Sequence, residues 1–540
     1  LGAWRRKAND PDDQPEGWLC DGGPLGILHH PEDRGIFPSR DEDGPELMPD
    51  DLLAQHAFDE YDVDCSTGPK KDRLVSQHWS VRKVDGDALT QIQKYVALGY
   101  LDQYATLAEV KEVLGRDPVV SDFVVLERKG KKKKRLILNL KKSLVSMASV
   151  NAERVLLPRT LDVAWDLLDL LCSARSHPGS DVSIYVIDFR DAFFQLPVLA
   201  DERPFLVGKY GNSFYVYNRA AQGTRGAPLL WGRTVALVAR LTAKLFDPRR
   251  FRLSVYVDDP VAAACGTQAE NEECFILMIA VWTALGFKLA FDKAQLSMRG
   301  EPLTWTSAEY TIDAAAEKVD VRVKAAIATA VREDTDKLLS NNVVSIRDLR
   351  EYCGRVVCMA SLLHTWRPFL RMLWGPIYNT ASRGDAPRGC VWRRQLDVPL
   401  SWVKAFFQNE SMLVRTFALH EYLGEGLQVR ITTDACAWSL GAVLVVNGTA
   451  QEYIHDPLTA FDFEKFGHAQ GCGKGQQTWE ALALLVALRL WAPVWNGKRV
   501  TITVRSDSVS ALSAILNLRS DGVNTNLIAR EMALDISQSV

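Results

Sequence analysis

The chain has 540 residues, a formal net charge of −3 at pH 7, and 47% hydrophobic and 24% charged residues. This composition is typical of a globular protein, and it excludes a wholly disordered, collagen-like or coiled-coil chain. The length corresponds to roughly two to four domains of ordinary size. No apolar run reaches the roughly 18 residues that span a bilayer, and no signal-peptide pattern opens the sequence. We therefore expect an intracellular protein, cytoplasmic or nuclear, without a membrane partner.

Charge is distributed unevenly along the chain. Residues 1–70 hold 17 acidic and 6 basic side chains, a net charge of −11, so the remainder carries the difference from −3, which is +8. Prolines and glycines are frequent in the same stretch. Residues 1–75 are therefore predicted to form an acidic, weakly structured leader.

The next predicted element is a β-hairpin with a lysine-rich tip. Two apolar stretches, 123–126 and 136–138, flank a basic run that includes Lys131 and Arg135 and contains no acid. Two β-rich stretches around a short polar segment are typical of a hairpin. The basic tip favours contact with phosphate groups, and a solvated surface loop is the alternative.

Strands and helices alternate over residues 160–300. Short β-rich runs are predicted at 183–187, 253–257 and 261–265, and the apolar spacing of 235–246 and 274–285 is typical of helices. The alternation predicts an α/β architecture for this part of the chain.

Three carboxylates follow apolar strands in this region. Asp258 and Asp259 are adjacent at the end of one strand, and Asp188 ends another. Adjacent carboxylates repel each other unless a cation lies between them. Three converging carboxylates are the oxygen ligands that suit two Mg²⁺ ions, whereas an Asp-Asp surface turn is the alternative for the pair.

A glycine-rich turn, Gln222–Pro228, lies between these acids and precedes an apolar helix. Its glycines allow close backbone approach to a ligand, and a helix start favours an anion. A plain loop is the alternative.

Taken in order, these segments resemble a reverse transcriptase. The basic segment 133–140 resembles the fingers, and Asp188–Phe194, Gln222–Pro228 and Tyr256–Asp259 resemble motifs A, B and C. The remaining matches are Gly286–Leu289 with Lys293, which resemble motif D, and Leu303–Trp305, at the place of the primer-grip hairpin.

The resemblance implies catalytic roles for the three acids. Asp188, Asp258 and Asp259 are expected to hold the catalytic metals, and the backbone carbonyl of Phe189 to complete a metal shell. The implied cofactor is Mg²⁺, two ions per active site, with Mn²⁺ as the alternative ion.

The resemblance also implies nucleotide-binding residues. Phe193 is expected to exclude a ribose 2′-hydroxyl, with a core aromatic as the alternative because Phe194 would point the other way along a strand. Gln222 and Gly223 are expected at the incoming nucleotide or template. Arg135, with Lys131 or another lysine of the run Lys131 to Lys134, is expected to hold the triphosphate.

A second group of acids lies near the end of the chain. Residues 428–516 follow a β-β-loop-α-β-α pattern, in which Asp434 and Asp507 end strands and Glu480 is predicted in the first turn of a helix. This order resembles the RNase H domain and implies a second two-metal site. Taken singly, a turn aspartate, a helix N-terminal acid and a helix N-cap are the alternatives.

The predicted fold class is therefore α/β and α+β multidomain. We expect a leader (1–75), fingers and palm of a right-hand polymerase (76–320), a helical thumb and connection (321–425) and an RNase H-like domain (426–540). That last domain is expected to be truncated, because no fourth acid of the family pattern is recognised before the chain ends. The order and motifs resemble DIRS-like or gypsy-like retrotransposon polyproteins.

The implied function is RNA-directed DNA polymerase activity with an attached RNase H activity, possessed by a retrotransposon. The implied partners are an RNA template, a DNA primer, RNA–DNA hybrid and dNTPs, and the sequence predicts no particular oligomeric state. The alternative is a catalytically inactive transposon remnant that only binds nucleic acid.

Overall fold

The computed structural model describes residues 1–27, 79–82, 86–128, 135–150, 153, 155–297, 300–378, 385–408 and 410–538. The chain folds into two compact units. The first unit comprises Leu1–Pro158, Tyr185–Ala264 and Ala269–Gln295, and the second Arg159–Ile184, Cys265–Gln268 and Leu296–Val540.

The architecture is mixed α/β, as the sequence predicts. The helices are α1 Gly2–Lys7, α2 Gln14–Asp21, α3 Gly86–Ala97, α4 Leu107–Leu114, α5 Val145–Ala148, α6 Thr160–Arg175, α7 Ala227–Ala243, α8 Gln268–Ala284, α9 Ala325–Ser340, α10 Ile346–Leu362, α11 Arg367–Tyr378, α12 Asp397–Phe406, α13 Leu419–Tyr422, α14 Ala460–Phe466, α15 Gln476–Trp495, α16 Val509–Asn517 and α17 Val523–Gln538.

The strands are β1 Trp79–Arg82, β2 Leu101–Tyr104, β3 Val120–Arg128, β4 Arg135–Leu138, β5 Asp181–Phe189, β6 Val207–Tyr210, β7 Ser213–Tyr217, β8 Phe251–Tyr256, β9 Asp259–Gly266, β10 Leu289–Ser297, β11 Leu303–Trp305, β12 Ala308–Asp313, β13 Lys318–Val323, β14 Val343–Ser345, β15 Cys390–Trp392, β16 Val414–Ala418, β17 Leu427–Ala435, β18 Ser439–Val446, β19 Thr449–Pro457 and β20 Val500–Arg505.

One sheet of the first unit contains the predicted basic hairpin. Its strand order is β1-β3-β6-β7-β2, with β4 paired to β3. Strands β3 and β4 are antiparallel, and Leu126 lies opposite Arg135, so the pairing of the hairpin is confirmed. Its lysine-rich tip, with the predicted phosphate ligand Lys131, lies outside the described residues.

The other sheet of this unit has the order β10-β5-β9-β8. Residues 182–187 of β5 are buried, because this inner strand has neighbours on both sides and a helix layer to cover it. The sequence suggests an edge or bulged position for Pro260, but Pro260 lies on the inner strand β9, in register with Val255. It is accommodated as the second residue of the strand, beside the turn.

Residues 1–27 are folded, although the sequence predicts a weakly structured leader there. Asp10 and Asp12 form ion pairs with Arg240 (2.8 Å) and Arg233 (2.6 Å) of α7. These arginines neutralise the acids and hold the segment, which explains why it is ordered despite its composition. The rest of the predicted leader, 28–75, lies outside the described residues.

The same segment reaches the core of the unit at its end. Leu25 and Ile27 are buried, and their backbone N–H groups donate to the carboxylate of the fully buried Glu202. Burying a carboxylate is costly unless hydrogen bonds satisfy it, so Glu202 and this backbone depend on each other.

Two glycines of the predicted motif B are required by packing. A Cβ at Gly226 would lie 2.0 Å from the carbonyl oxygen of Leu25. Gly223 has a φ of +107°, and a Cβ there would lie 2.7 Å from the Ile137 side chain. These glycines therefore allow the turn to pack against the N-terminal segment and β4.

The second unit contains more strands than the sequence predicts. Residues 321–425 were expected to be mainly helical, yet they include β14, β15 and β16. The first two have three residues each, which is too short for an alternating pattern to be recognised. Together with β11, β12 and β13, β16 forms a sheet in the order β11-β12-β13-β16.

The last sheet has the order β19-β18-β17-β20, and its strands β17, β18 and β20 confirm the three strands predicted within residues 428–516. The sequence missed the edge strand β19, because it is mostly polar and exposed. By length and composition alone, one described helix, Gly473–Trp495, is apolar enough to cross a membrane, and its most apolar window is 50% buried. Its buried side packs against β17 and β18, which is the position of a core helix.

The close approach at Gly226 yields a stability prediction. Gly226→Ala should destabilise the first unit by about 1–3 kcal/mol, because its methyl group must displace the backbone at Leu25. Denaturant unfolding measures the change. Gly232→Ala on the same helix is the control, since its Cβ would find only Val155 at 3.6 Å; it should be neutral or stabilising. Equal destabilisation by both variants would contradict the packing argument.

Candidate active sites

The turn between β8 and β9 carries the Asp-Asp pair. Tyr256 and Asp259 pair across it, which leaves Val257 and Asp258 as the two turn residues. Val257 has a φ of +56°, a rare conformation for a β-branched residue. The indole Nε1 of Trp231 donates to the Val257 carbonyl at 2.7 Å and fixes this conformation.

A backbone hydrogen bond joins this turn to the end of β5. The N–H of Phe189 donates to the carbonyl of Asp258 at 3.0 Å. The Phe189 ring is buried, with its centroid 5.0 Å from those of Trp231 and Trp282. The apolar core thus anchors the point where Asp188 meets Asp258.

The charges of the two carboxylates act on each other. Surrounding protein raises the pKa of Asp258, and the charge of Asp188 raises it further, while Lys293 and Arg135 lower it. Asp258 keeps its side chain accessible to solvent. The ammonium group of Lys293 contacts the carboxylate of Asp188, and this pairing raises the pKa of Lys293. These charges make the site a strongly polar one.

Asp188, Asp258 and Asp259 do not form a group whose ligand atoms all lie within 4.8 Å of one another. The one group of three potential metal ligands found among the described residues lies elsewhere, as shown below. Asp258 lies in the turn, whereas Asp259 is the first residue of β9. The structure therefore brings together Asp188 and Asp258, with Lys293 and Arg135 in electrostatic reach.

Gln195 is a positioning residue that the sequence did not suggest. Its side-chain amide donates to the carbonyls of Arg190 (2.8 Å) and Lys288 (3.0 Å), and its Oε1 accepts from the Lys288 N–H at 2.9 Å. It thereby connects the motif A segment to the motif D segment. An amide side chain has no charge or spacing signal, although its place at the end of Asp188–Gln195 was a clue.

Phe193 and Phe194 lie on a 3-10 turn, Ala192–Gln195, and not on a strand. Phe194 is buried and stacks on Tyr100 at 4.8 Å, whereas Phe193 is only partly buried. Phe194 is therefore the aromatic residue of the core, and Phe193 lies at its edge. Gln222 and Gly223 lie in a turn before α7, Gln222 partly buried and Gly223 exposed.

The second site is a cluster of three carboxylates in the last domain. Strands β17 and β20 are parallel, with Thr432 opposite Arg505. Asp434 and Asp507 each lie two residues beyond that pair, so the register places them side by side. With Glu480 of α15, their ligand atoms lie within 4.8 Å of one another.

Glu480 is the buried member, 3% exposed. Its Oε1 accepts hydrogen bonds from Gln476 Nε2 (2.9 Å) and the Ala435 N–H (3.3 Å). Burial raises the pKa of Glu480, these hydrogen bonds lower it, and Asp507 and Asp434 raise it. A divalent cation would offset this repulsion, and three carboxylates are its preferred ligands, so the residues fit a metal.

The helix of Glu480 begins earlier than the sequence predicts. It starts at Gln476, so Glu480 lies in the second turn. The alternative that Glu480 is an acid of the helix N-terminus is therefore wrong. Gln476 contacts both Glu480 and the carbonyl of Ala435, which makes it a second positioning residue that the sequence missed.

Two further acids near the C-terminus belong to the surface of α17. Glu531 and Asp535 form ion pairs with Arg489 at 2.9 and 2.7 Å. They are helix-surface residues, as the sequence predicts.

The comparisons with known proteins address the first site. Residues 123–323 match the family model of the reverse transcriptase (RNA-dependent DNA polymerase). The matched segment contains Asp188, Asp258, Lys293 and the turn around Gly226. No curated protein matches the chain.

Solved structures of the foamy viral protease–reverse transcriptase resemble the chain at 14% identity. The dRH form with double-stranded DNA gives a TM-score of 0.44 and covers 84% of this chain and 69% of that one. The complex with RNA/DNA hybrid gives a TM-score of 0.40 and covers 84% of this chain and 53% of that one. The complex with dsDNA gives a TM-score of 0.39 and covers 84% of this chain and 82% of that one.

The acidic cluster predicts pH-dependent metal binding. Because a ligating carboxylate must be ionised, Mg²⁺ affinity should increase as the pH rises through the raised pKa of Glu480, with proton release on binding. Isothermal titration calorimetry in two buffers of different ionisation enthalpy measures both. Asp434→Asn should weaken binding at this site about tenfold or more.

The matched control is Glu464→Gln, on the exposed surface of α14, which removes one charge from the same domain and should leave binding unchanged. Equal loss in both variants would show a nonspecific charge effect and would contradict a metal site.

Proposed function

We propose that this chain is an RNA-directed DNA polymerase with an attached RNase H-type ribonuclease, derived from a retrotransposon. The observation that carries the proposal is the reverse transcriptase match over residues 123–323, within which the N–H of Phe189, the residue after Asp188, donates to the carbonyl of Asp258. The proposed partners are an RNA template, a DNA primer, RNA–DNA hybrid and dNTPs inside the cell.

In the polymerase site, Asp188, Asp258 and Asp259, with the Phe189 carbonyl, would hold Mg²⁺. Bound Mg²⁺ supplies charge neutralisation for a developing alkoxide and for a leaving pyrophosphate. The protein orients the carboxylates through the Val257–Asp258 turn. Positive charge from Lys293 reduces the repulsion between Asp188 and Asp258, and so allows both to be ionised together.

Around these acids, the remaining residues would bind the nucleotide. Arg135, whose charge reaches Asp258, would contact the triphosphate with Lys131, because guanidinium and ammonium groups form charge-assisted hydrogen bonds with phosphates. Phe193 would lie against the sugar, and Gln222 and Gly223 against the base or template.

In the ribonuclease site, Asp434, Glu480 and Asp507 would hold a pair of divalent ions, Mg²⁺ or Mn²⁺. The support is their convergence within 4.8 Å. Gln476 and the Ala435 N–H orient Glu480, so the protein has fixed one ligand before a metal binds. The scissile RNA strand would be recognised in a hybrid through its shape and its 2′-hydroxyls.

The two activities should be separable by substitution. Asp258→Asn should reduce primer extension on poly(rA)/oligo(dT) by about 10³-fold, because a metal ligand is lost, and leave RNA cleavage intact. Glu480→Gln should do the reverse. Extension and hybrid cleavage are measured on the same preparations with Mg²⁺.

Glu531→Gln, which removes an acid outside both sites, is the control for these variants. If wild type extends no better than Asp258→Asn while both bind the hybrid, the chain is an inactive remnant and the polymerase proposal is wrong.

Phe193 provides a test of sugar selection. Phe193→Ala should increase ribonucleotide incorporation by roughly 10²-fold relative to dNTPs, since removing the ring opens space for a 2′-hydroxyl. Single-nucleotide kcat/KM values for dTTP and UTP give the ratio. Phe193→Tyr keeps the ring and should keep the selectivity. An unchanged ratio in Phe193→Ala would assign Phe193 to packing alone.

A further inference from the structure

A group of basic side chains in the second unit belongs to neither candidate site. The guanidinium of Arg415, on β16, donates to the carbonyl of Leu362 at the end of α10 (3.3 Å). The 3-10 turn that begins at His364 follows at once and leads into α11, whose first residue is Arg367. Three basic side chains therefore surround one chain reversal.

Two more arginines approach from other elements. The first is Arg519. Its neighbour Ser520 accepts a hydrogen bond from Arg371, one turn beyond Arg367 on α11, and this contact places Arg519 beside the start of the helix. Arg159 lies at the N-terminus of α6. The charges of Arg159 and Arg519 both reach Arg367 and lower its pKa, after burial as the main cause.

Arg159 forms an ion pair with Asp162 at 2.7 Å, whereas the other three arginines of the group have no such partner among the described residues. Across the part of the chain that the structure describes, no carboxylate forms an ion pair with Arg367, Arg415 or Arg519. The pKa of Arg415 is lowered by burial and by Arg367, an effect that Glu421 opposes. Guanidinium groups stay charged under these conditions, so their mutual repulsion is a cost that a bound anion would remove.

The cluster is also held in place. The Arg415 guanidinium lies 4.7 Å from the centre of the Phe417 ring, a cation–π contact that fixes its orientation. Burial and the charges of Arg415 and Arg367 lower the pKa of His364 to about 4. His364 is therefore neutral at pH 7 and can offer a hydrogen bond without adding to the repulsion.

We propose that Arg367, Arg415 and Arg519, with His364, form a binding site for the phosphodiester backbone of an RNA–DNA hybrid. This inference rests on the proposed function for its ligand. Three guanidinium groups from three separate parts of the chain suit successive phosphates, because each can bind one phosphate in a bidentate manner. A site of this kind would position the hybrid without reading its sequence.

The test is the salt dependence of hybrid binding by the full-length chain. Fluorescence anisotropy with a labelled RNA–DNA hybrid, at a series of KCl concentrations, gives the slope of log Kobs against log [KCl]. Arg367→Gln and Arg519→Gln should each reduce the slope by about 1 and the double variant by about 2. Affinity near 0.1 M KCl should fall about tenfold per substitution.

Arg350→Gln is the matched control. Arg350 is exposed on α10, twelve residues before Leu362 and so roughly 18 Å away along the helix, and its loss should leave the slope within error of wild type. Arg519 is itself exposed, so Arg519→Gln remains informative if Arg367→Gln proves unstable by thermal unfolding.

Two outcomes would overturn the proposal. One is an unchanged slope in both single variants and in the double variant. The other is evidence for a site that binds only a free anion. In that case inorganic phosphate would bind wild type in calorimetry and the variants would lose this binding, while the salt dependence of hybrid binding would stay the same.

Failure of the proposed function is distinguishable from failure of this site. Wild type that neither extends a primer nor cleaves RNA would contradict the enzymatic proposal, while the salt slopes would still decide whether the arginines bind the hybrid. In active wild type, the variants should raise KM for the hybrid and leave kcat within about twofold.

Discussion

The hydrogen bond from the Phe189 N–H to the Asp258 carbonyl is the constraint on which the first site depends. Phe189 is anchored by its ring between Trp231 and Trp282, and Trp231 also donates to Val257. The hydrophobic core and the charged residues are thus parts of one arrangement. Burial of the aromatic rings stabilises a turn conformation that Val257 would otherwise avoid, and that turn presents Asp258 to Asp188.

The second site uses strand register for the same purpose. Parallel pairing of β17 with β20 fixes the separation of Asp434 and Asp507, and α15 adds Glu480 from the other side of the core. A slip of one residue would turn one of these aspartates to the opposite face of the sheet. Both sites therefore obtain their geometry from backbone hydrogen bonds, and the carboxylates themselves contribute mainly repulsion.

The sequence predicted the acids at strand ends because charge after an apolar run is a strong local signal. It could not predict the tight turn that leaves Val257 and Asp258 between the paired residues Tyr256 and Asp259, since this turn depends on the conformation of Val257. Gln195 and Gln476 escaped notice because an uncharged amide acquires its role only from partners distant in the sequence. The order of residues 1–27 was likewise hidden: their acids indicate a solvated leader until the arginines of α7, more than 200 residues later, are seen opposite them.

The N-terminal segment has a consequence for where the folded unit begins. The reverse transcriptase match starts at residue 123, yet Glu202, Arg233 and Arg240 inside it have partners at Leu25, Asp12 and Asp10. A fragment cut at the limits of the match would remove the Leu25 and Ile27 donors of a buried carboxylate and the aspartate partners of both arginines, and would leave Arg233 only its contact with Glu153 at 3.4 Å. The smallest piece of this chain that can be expected to fold therefore includes its first 27 residues, which similarity to the family alone would discard.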